Sequence, residues 1–176
     1  NRTLLSPFAS KTGRNQPSTT KFIFGNSAWL RSLIKPQKGF GLAYVDFSSQ
    51  EIAIAAALSG DPKMWQAYNS GDPYMAFAIQ AGLAPEGATK SSHKAIRNRC
   101  KQIMLGVGYG MGAEALALAA GIHRVEANGL LNNHRMTYRI FWKWAEANQM
   151  RALMGEPLAT PLGWKLQLRN DPDPND

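Results

Sequence analysis

Two groups of side chains in this sequence have types and spacings suited to chemistry. The first is Asp46, at the end of the apolar run Gly41-Leu-Ala-Tyr-Val45 and just ahead of Ser48 and Ser49. A carboxylate at the end of a buried strand and before a helix suits a divalent metal. Mg²⁺ takes one or two carboxylates and fills its remaining positions with substrate phosphates and water. The same carboxylate could instead cap the next helix. The second group is Arg97, Lys101, Leu105 and Tyr109, each four residues after the last. Four-residue steps drift only about 40° around an α-helix, so one helix presents all four on a single face. Two cations, an apolar side chain and a tyrosine in line suit a nucleoside triphosphate. The cations would take phosphates, the apolar group would meet sugar or base, and the tyrosine would lie deeper. A solvated cationic face that becomes a core face would have the same pattern.

The elements that must position these groups follow from the local sequence. Gly41–Phe47 reads as a strand, apolar and closed by a polar break. Ser48 and Ser49 offer an N-cap for the Ala-rich helix Gln50–Leu58, which Ser59-Gly-Asp-Pro62 closes. Pro62–Tyr68 and Pro73–Gly82 read as short helices with proline in a favourable first-turn position. Gly82–Thr89 is a loop. Ser91 or Ser92 is placed to cap a longer helix reaching about Val107, where Gly106, Gly108 and Gly110 weaken and end it. Ala113–Ala120 is a short helix stopped by Gly121, and Val125–Leu153 is mostly helical by pattern. Thr160–Leu168 reads as a hairpin around Pro161-Leu-Gly163. Asn1–Ser18 is irregular, Lys21-Phe-Ile-Phe24 is a short strand or turn, and Ala28–Ile34 is a short helix or strand ended by Pro36. Asp171–Asp176 is an acidic, proline-rich end.

Composition narrows the class. The chain has 176 residues, 44% hydrophobic and 18% charged, which argues for a globular protein and against disorder. Its single cysteine, Cys100, excludes an intramolecular disulfide framework. No apolar run approaches the roughly 18–20 residues of a membrane span, and the N-terminus lacks a signal-peptide pattern. The expectation is a soluble, cytoplasmic protein without a membrane partner. Twenty Lys and Arg against twelve Asp and Glu give a net charge of +8. The pI near 9.8 is a footprint expected of a nucleic-acid binder. The charge is also clustered. No acid precedes Asp46, and between Glu86 and Glu114 stand only cations: Lys90, Lys94, Arg97, Arg99 and Lys101. Such stretches attract polyanions.

Taken together, these features resemble the polymerase domain of family A DNA polymerases, the DNA polymerase I group. Val45-Asp-Phe-Ser-Ser-Gln-Glu-Ile-Ala-Ile-Ala-Ala-Ala-Leu-Ser-Gly-Asp61 is similar to motif A of that family. Arg97-Asn-Arg-Cys-Lys101-Gln-Ile-Met-Leu105-Gly-Val-Gly-Tyr109-Gly-Met111 is similar to motif B. Thr12-Gly-Arg14 resembles a T-G-R segment upstream, and Thr160-Pro-Leu-Gly163-Trp-Lys165 resembles the turn after the motif B helices. Four motifs in order, from about Lys11 to Leu168, are far more specific than any one of them.

The resemblance implies an α+β, mostly helical fold, with a partial polymerase palm sheet and a helical fingers subdomain. Residues 1–60 would be partial palm with motif A. Residues 61–154 would be fingers helices with motif B, and 155–176 a hairpin and acidic tail. The implied activity is template-directed transfer of dNTPs to a primer 3′-OH, with primer-template DNA as partner and two Mg²⁺ ions as cofactors. Asp46 would be the motif A carboxylate that holds the metals, with the Phe47 carbonyl as a further ligand. Glu51 would pack under the sugar and block a 2′-OH. Arg97 and Lys101 would hold the triphosphate, where charge develops as pyrophosphate leaves, so that Asp46 and Lys101 are the catalytic pair. Tyr74 would stand on the phosphates where many members have histidine, Leu105 on the sugar where they have an aromatic, and Tyr109 near the nascent pair and Glu51. Arg14 would reach the DNA minor groove, with Asn15 and Gln16 also on DNA.

Three departures are plain. Leu105 cannot stack as an aromatic does, Tyr74 brings no positive charge, and Ala53 replaces an arginine of motif A. Motif C, which carries the second metal-binding aspartate in the family, has no counterpart, because no His-Asp pair occurs. The thumb is also without a counterpart. The chain is therefore expected to be a piece of a polymerase, inactive alone and completed by the missing thumb and motif C segments. Two other functions fit part of the pattern. A non-catalytic nucleic-acid or nucleotide-binding module would keep the cationic helix face without the second aspartate. A single-subunit RNA polymerase shares the motif B spacing, but Glu51 against the 2′ position speaks against it.

Overall fold

The computed structural model describes residues 5–6, 16–17, 28–43 and 45–166. Its contacts divide the chain into two units, Asn1–Asp46 and Phe47–Asp176.

In the first unit, β1 (Leu5–Ser6) pairs antiparallel with β2 (Gln16–Pro17), Leu5 opposite Pro17 and Ser6 opposite Gln16. A 3₁₀ helix covers Ala28–Leu33, with the Ser32 hydroxyl donating to the Trp29 carbonyl at 2.7 Å. The strand expected over Gly41–Phe47 does not form at its described residues, which are exposed and in no ladder. The physical reason is the lack of a neighbour. A strand is held by inter-strand hydrogen bonds, and among the described residues nothing pairs with this segment. Lys21–Phe24 lies outside the described residues.

The second unit is a helical body. α1 covers Gln50–Ser59, α2 Pro62–Asn69, α3 Pro73–Gln80, α4 Lys94–Gly108, α5 Ala113–Ala120, α6 Arg124–Thr137 and α7 Arg139–Leu153. β3 (Leu158–Ala159) then pairs antiparallel with β4 (Lys165–Leu166). The Thr160–Gly163 turn expected between them closes with Gly163 N–H on the Thr160 carbonyl at 2.9 Å. The fold is α+β and mostly helical. Among the described residues no helix is long and apolar enough to cross a membrane.

α4 lies at the centre and packs on α1, α3, α5 and α6. Its buried stripe, Cys100, Ile103, Met104 and Val107, follows helical spacing. Gly106 belongs to the same face, because a Cβ there would collide with Leu116 Cδ2 of α5. Burial of Cys100 pushes its thiol up to about 11.

Helix starts show where local reading holds and where it fails. Asp61 and Asp72 cap α2 and α3 as a short acceptor before proline should, Asp61 from Lys63 and Met64 N–H and Asp72 from Met75 N–H. Two expected serine caps are corrected. Ser49 occupies the N-cap of α1, but with φ 50° and no side-chain cap bond. α4 begins at Lys94 behind His93, which makes no side-chain cap bond. Ser92 Oγ instead accepts from Thr89 N–H at 3.0 Å and meets His93 Nδ1 at 2.9 Å.

The stretch expected to run as helix from Val125 to Leu153 breaks at Tyr138. Tyr138 leaves helical geometry with ψ 58°, and its side chain is fully buried beside Phe77 and His134. The restart is secured from far away in sequence. Phe141 N–H, in the uncapped first turn of α7, donates to Asp61 Oδ2 at 3.1 Å.

Candidate functional site

The face predicted from four-residue spacing exists. Arg97, Lys101 and Leu105 lie on α4, and Tyr109 is its C-cap residue. At 1.5 Å per residue the face spans roughly 18 Å from Arg97 to Tyr109, about the length of an extended nucleoside triphosphate. Its two ends have different neighbours.

At the first end, α3 supplies the floor. Tyr74 is buried, and its ring lies under both cations. The Arg97 Cζ is 5.2 Å and the Lys101 Nζ 5.8 Å from the ring centroid. A ring face attracts cations through its quadrupole, so one tyrosine holds two positive charges a helical turn apart. Arg97 is also paired. Its Nε donates to Asp72 Oδ2 at 2.6 Å, with the side chains 15% and 28% exposed, while Asp72 Oδ1 caps α3. Asp72 was not among the residues singled out from the sequence. A short acid before proline announces a helix start, but nothing local announces a partner 25 residues on.

At the second end, a cavity of about 430 Å³ opens between α1, α4 and α7. Glu51 lines it from the start of α1, Leu105 and Tyr109 from α4, and Phe141 and Trp144 from α7. The three residues expected at sugar and base are therefore brought to one cavity. Phe141 and Trp144 were not anticipated, and an aromatic-rich helix gives no local signal of what it will face. The lining is mainly apolar with one carboxylate at the edge, which suits a sugar or base better than a phosphate.

The remaining predicted residues stand apart from this description. Asp46 is exposed and closes the first unit, and Phe47 opens the second. Gln16 lies in β2, but its side chain is not described; Arg14 and Asn15 lie outside the described residues, as do Thr12 and Asp171–Asp176. Among the described residues no three His, Cys, Asp or Glu side chains come together as a metal site. The Asp46 carboxylate and the Phe47 carbonyl are each hard oxygen donors of the kind Mg²⁺ prefers, and such donors suit an ion that completes its shell with water and phosphate. Two ions would need a further carboxylate.

Known proteins resemble this chain in sequence and in fold. The chain is 30% identical over 137 residues to DNA polymerase I of Synechocystis, covering 78% of this chain and 14% of that protein. It is 31% identical over 127 residues to the DNA polymerase of Mycobacterium phage L5, covering 68% of this chain and 19% of that one. It is 29% identical over 114 residues to mouse DNA polymerase theta, covering 64% of this chain and 4% of that one. The chain thus spans less than a fifth of each of these relatives. Its fold matches the POL domain of Pol1 from M. smegmatis, solved in complex with DNA primer-template and dNTP. The TM-score is 0.66 at 22% identity, over 94% of this chain and 30% of that one. The family model for DNA polymerase family A matches residues 19–172, nearly the whole length, so the chain belongs to DNA polymerase family A.

Proposed function

We propose that this chain forms the dNTP-binding fingers and part of the palm of a DNA-directed DNA polymerase. In this reading the triphosphate lies along α4. Arg97 and Lys101 take its phosphate oxygens and stabilise the charge that develops on pyrophosphate as the primer 3′-oxygen bonds to the α-phosphorus. Tyr74 holds both cations in place and can donate one hydrogen bond. Leu105 packs on the sugar and Glu51 excludes a 2′-OH, while Tyr109 borders the nascent pair. Arg14, Asn15 and Gln16 contact DNA. Asp46 and the Phe47 carbonyl would hold Mg²⁺, which when bound activates the attacking oxygen and neutralises phosphate charge. The palm–fingers division stands with this reading: residues 1–60 to the palm, 61–154 to the fingers, and 155–176 to a hairpin and tail.

The observation that carries the proposal is the order of groups along one helix face. Two cations lie over one ring at one end, and Glu51, Leu105 and Tyr109 share a cavity at the other. That is the order of a nucleotide's own parts. A second reading, a binding module without chemistry, rests on the donor set, because Asp46 alone cannot hold two ions.

Primer extension on a primed template with dNTPs and Mg²⁺, beside an Asp46→Ala control, separates the two. Extension that the control lacks establishes the enzyme. DNA and dNTP binding that weakens with salt, with no extension in either protein, establishes the module for this chain alone. No binding of either ligand would sink both readings.

A further inference from the structure

We infer that Asp72 is a positioning residue for triphosphate recognition: it clamps the Nε of Arg97 so that the guanidinium waits, oriented, beside Lys101. The inference rests on the nucleotide-binding reading above and adds to it a residue that contacts no ligand itself.

The argument begins with what fixes the carboxylate. Asp72 Oδ1 accepts Met75 N–H at 3.3 Å and so is anchored to the first turn of α3. Pro73, the first residue of that helix, restricts φ there and stiffens the same turn. The other oxygen, Oδ2, takes Arg97 Nε at 2.6 Å. The clamp is thus tied to a helix start and does not follow the arginine's own rotamers.

The guanidinium keeps its capacity for anions. It has five N–H donors, and the clamp engages one of them. The four on the terminal nitrogens form the planar fork that suits phosphate oxygens. An unclamped arginine has several rotatable bonds to order when it binds, and pre-ordering removes that cost from the binding step.

Charge supplies a second reason for the arrangement. Arg97 and Lys101 share the Tyr74 ring, and two cations so close repel one another. A carboxylate bonded to one of them offsets that repulsion. The three consecutive residues Asp72, Pro73 and Tyr74 therefore organise both cations: the aspartate by its second oxygen, the proline by its ring, the tyrosine by its π-face. The contrast lies two residues on from Arg97, about half a turn around α4. Arg99 pairs with Glu126 at the same 2.6 Å, but with both side chains about half exposed.

The test uses the whole chain, with dATP and inorganic tripolyphosphate as probes in titration calorimetry. Asp72→Asn keeps a good N-cap while removing the charge. It is expected to weaken both probes about five- to tenfold, the net worth of an ordinary hydrogen bond. Its melting temperature should stay near that of the unsubstituted protein. Arg97→Gln should weaken binding more, and adding Asp72→Asn to it should change nothing further, because Asp72 acts only through Arg97. The ¹⁵N–¹H signal of Arg97 Nε should exchange slowly in the unsubstituted protein and shift in Asp72→Asn. Unaltered or tighter binding by Asp72→Asn, additive losses in the double variant, or an unmoved Nε signal would each overturn the inference while leaving the nucleotide site standing. Probe binding that ignores Arg97→Gln would overturn the nucleotide site itself, and the inference with it.

Discussion

Asp61 and Asp72 stand in the same local sequence, an aspartate followed by the proline that begins a helix. Each uses Oδ1 as an N-cap. They part company at Oδ2. That of Asp61 accepts the backbone N–H of Phe141 inside the protein, joining the start of α2 to the start of α7. That of Asp72 accepts a side-chain donor on α4, at the rim of the cationic face. One aspartate is 2% exposed and holds backbone; the other is partly open and holds a charged side chain. An identical capping motif thus serves architecture in one place and a binding face in the other. The difference lies entirely in what the tertiary fold brings to the second oxygen.

If that contrast is right, the largest effect belongs to Asp61. Asp61→Ala strands buried donors at two helix starts and should cost about 3–5 kcal/mol, the range for breaking a buried hydrogen-bond network. Urea denaturation at neutral pH measures it, and a loss below that of Asp72→Ala would break the comparison.

His134 comes next, because it shares the Asp61 neighbourhood. Burial lowers its pKa from 6.5 to about 4, while the Asp61 charge pulls weakly the other way. Trp142 Nε1 donates to its Nδ1 at 3.0 Å, a bond that the neutral imidazole can accept and the imidazolium cannot. Between those two pKa values the unfolded chain takes up a proton that the folded protein refuses. The stability from this site is therefore fully present above pH 6.5 and is lost as pH falls toward 4. The loss is about 3 kcal/mol across that window. Denaturation midpoints measured from pH 7 to pH 4 should show it, and His134→Gln should flatten the slope.

Asp72→Ala should cost only about 1 kcal/mol of stability, the ordinary worth of an N-cap. Its main effect should fall on triphosphate binding. A thermal melt beside the calorimetric titration separates the two, and a stability loss as large as that of Asp61 would erase the distinction between them. The smallest effect is expected at the exposed Arg99–Glu126 pair. Glu126→Gln should change stability by about 0.5 kcal/mol or less, as such pairs do. A larger value there would mean that ion-pair length, rather than burial and anchoring, sets the worth of these contacts.

Much of the helical body was legible. α2, α3 and α5 follow from Asp-Pro starts and from Gly121, whose φ of 63° suits a residue without a Cβ. The face of Arg97, Lys101, Leu105 and Tyr109 was legible because helical spacing alone defines it. The Tyr138 break was not. No proline or glycine marks it, and the bond that rewards the restart comes from Asp61, 80 residues away. The caps of α1 and α4 misled, because a serine hydroxyl has several backbone and side-chain partners within reach and the loop geometry chooses among them.

By itself, then, the sequence determined the helix content, the cationic face, the four family motifs and the family itself. All of these are carried by residue type and by spacings of a few positions, where chain geometry leaves little freedom. The tertiary structure alone decided that Tyr74 lies under both cations, that Phe141 and Trp144 line the cavity of Glu51, Leu105 and Tyr109, and that Asp61 holds backbone while Asp72 holds Arg97. Those outcomes depend on packing between elements far apart in the chain, and a hydrogen-bond acceptor takes whichever donor that packing delivers within about 3 Å.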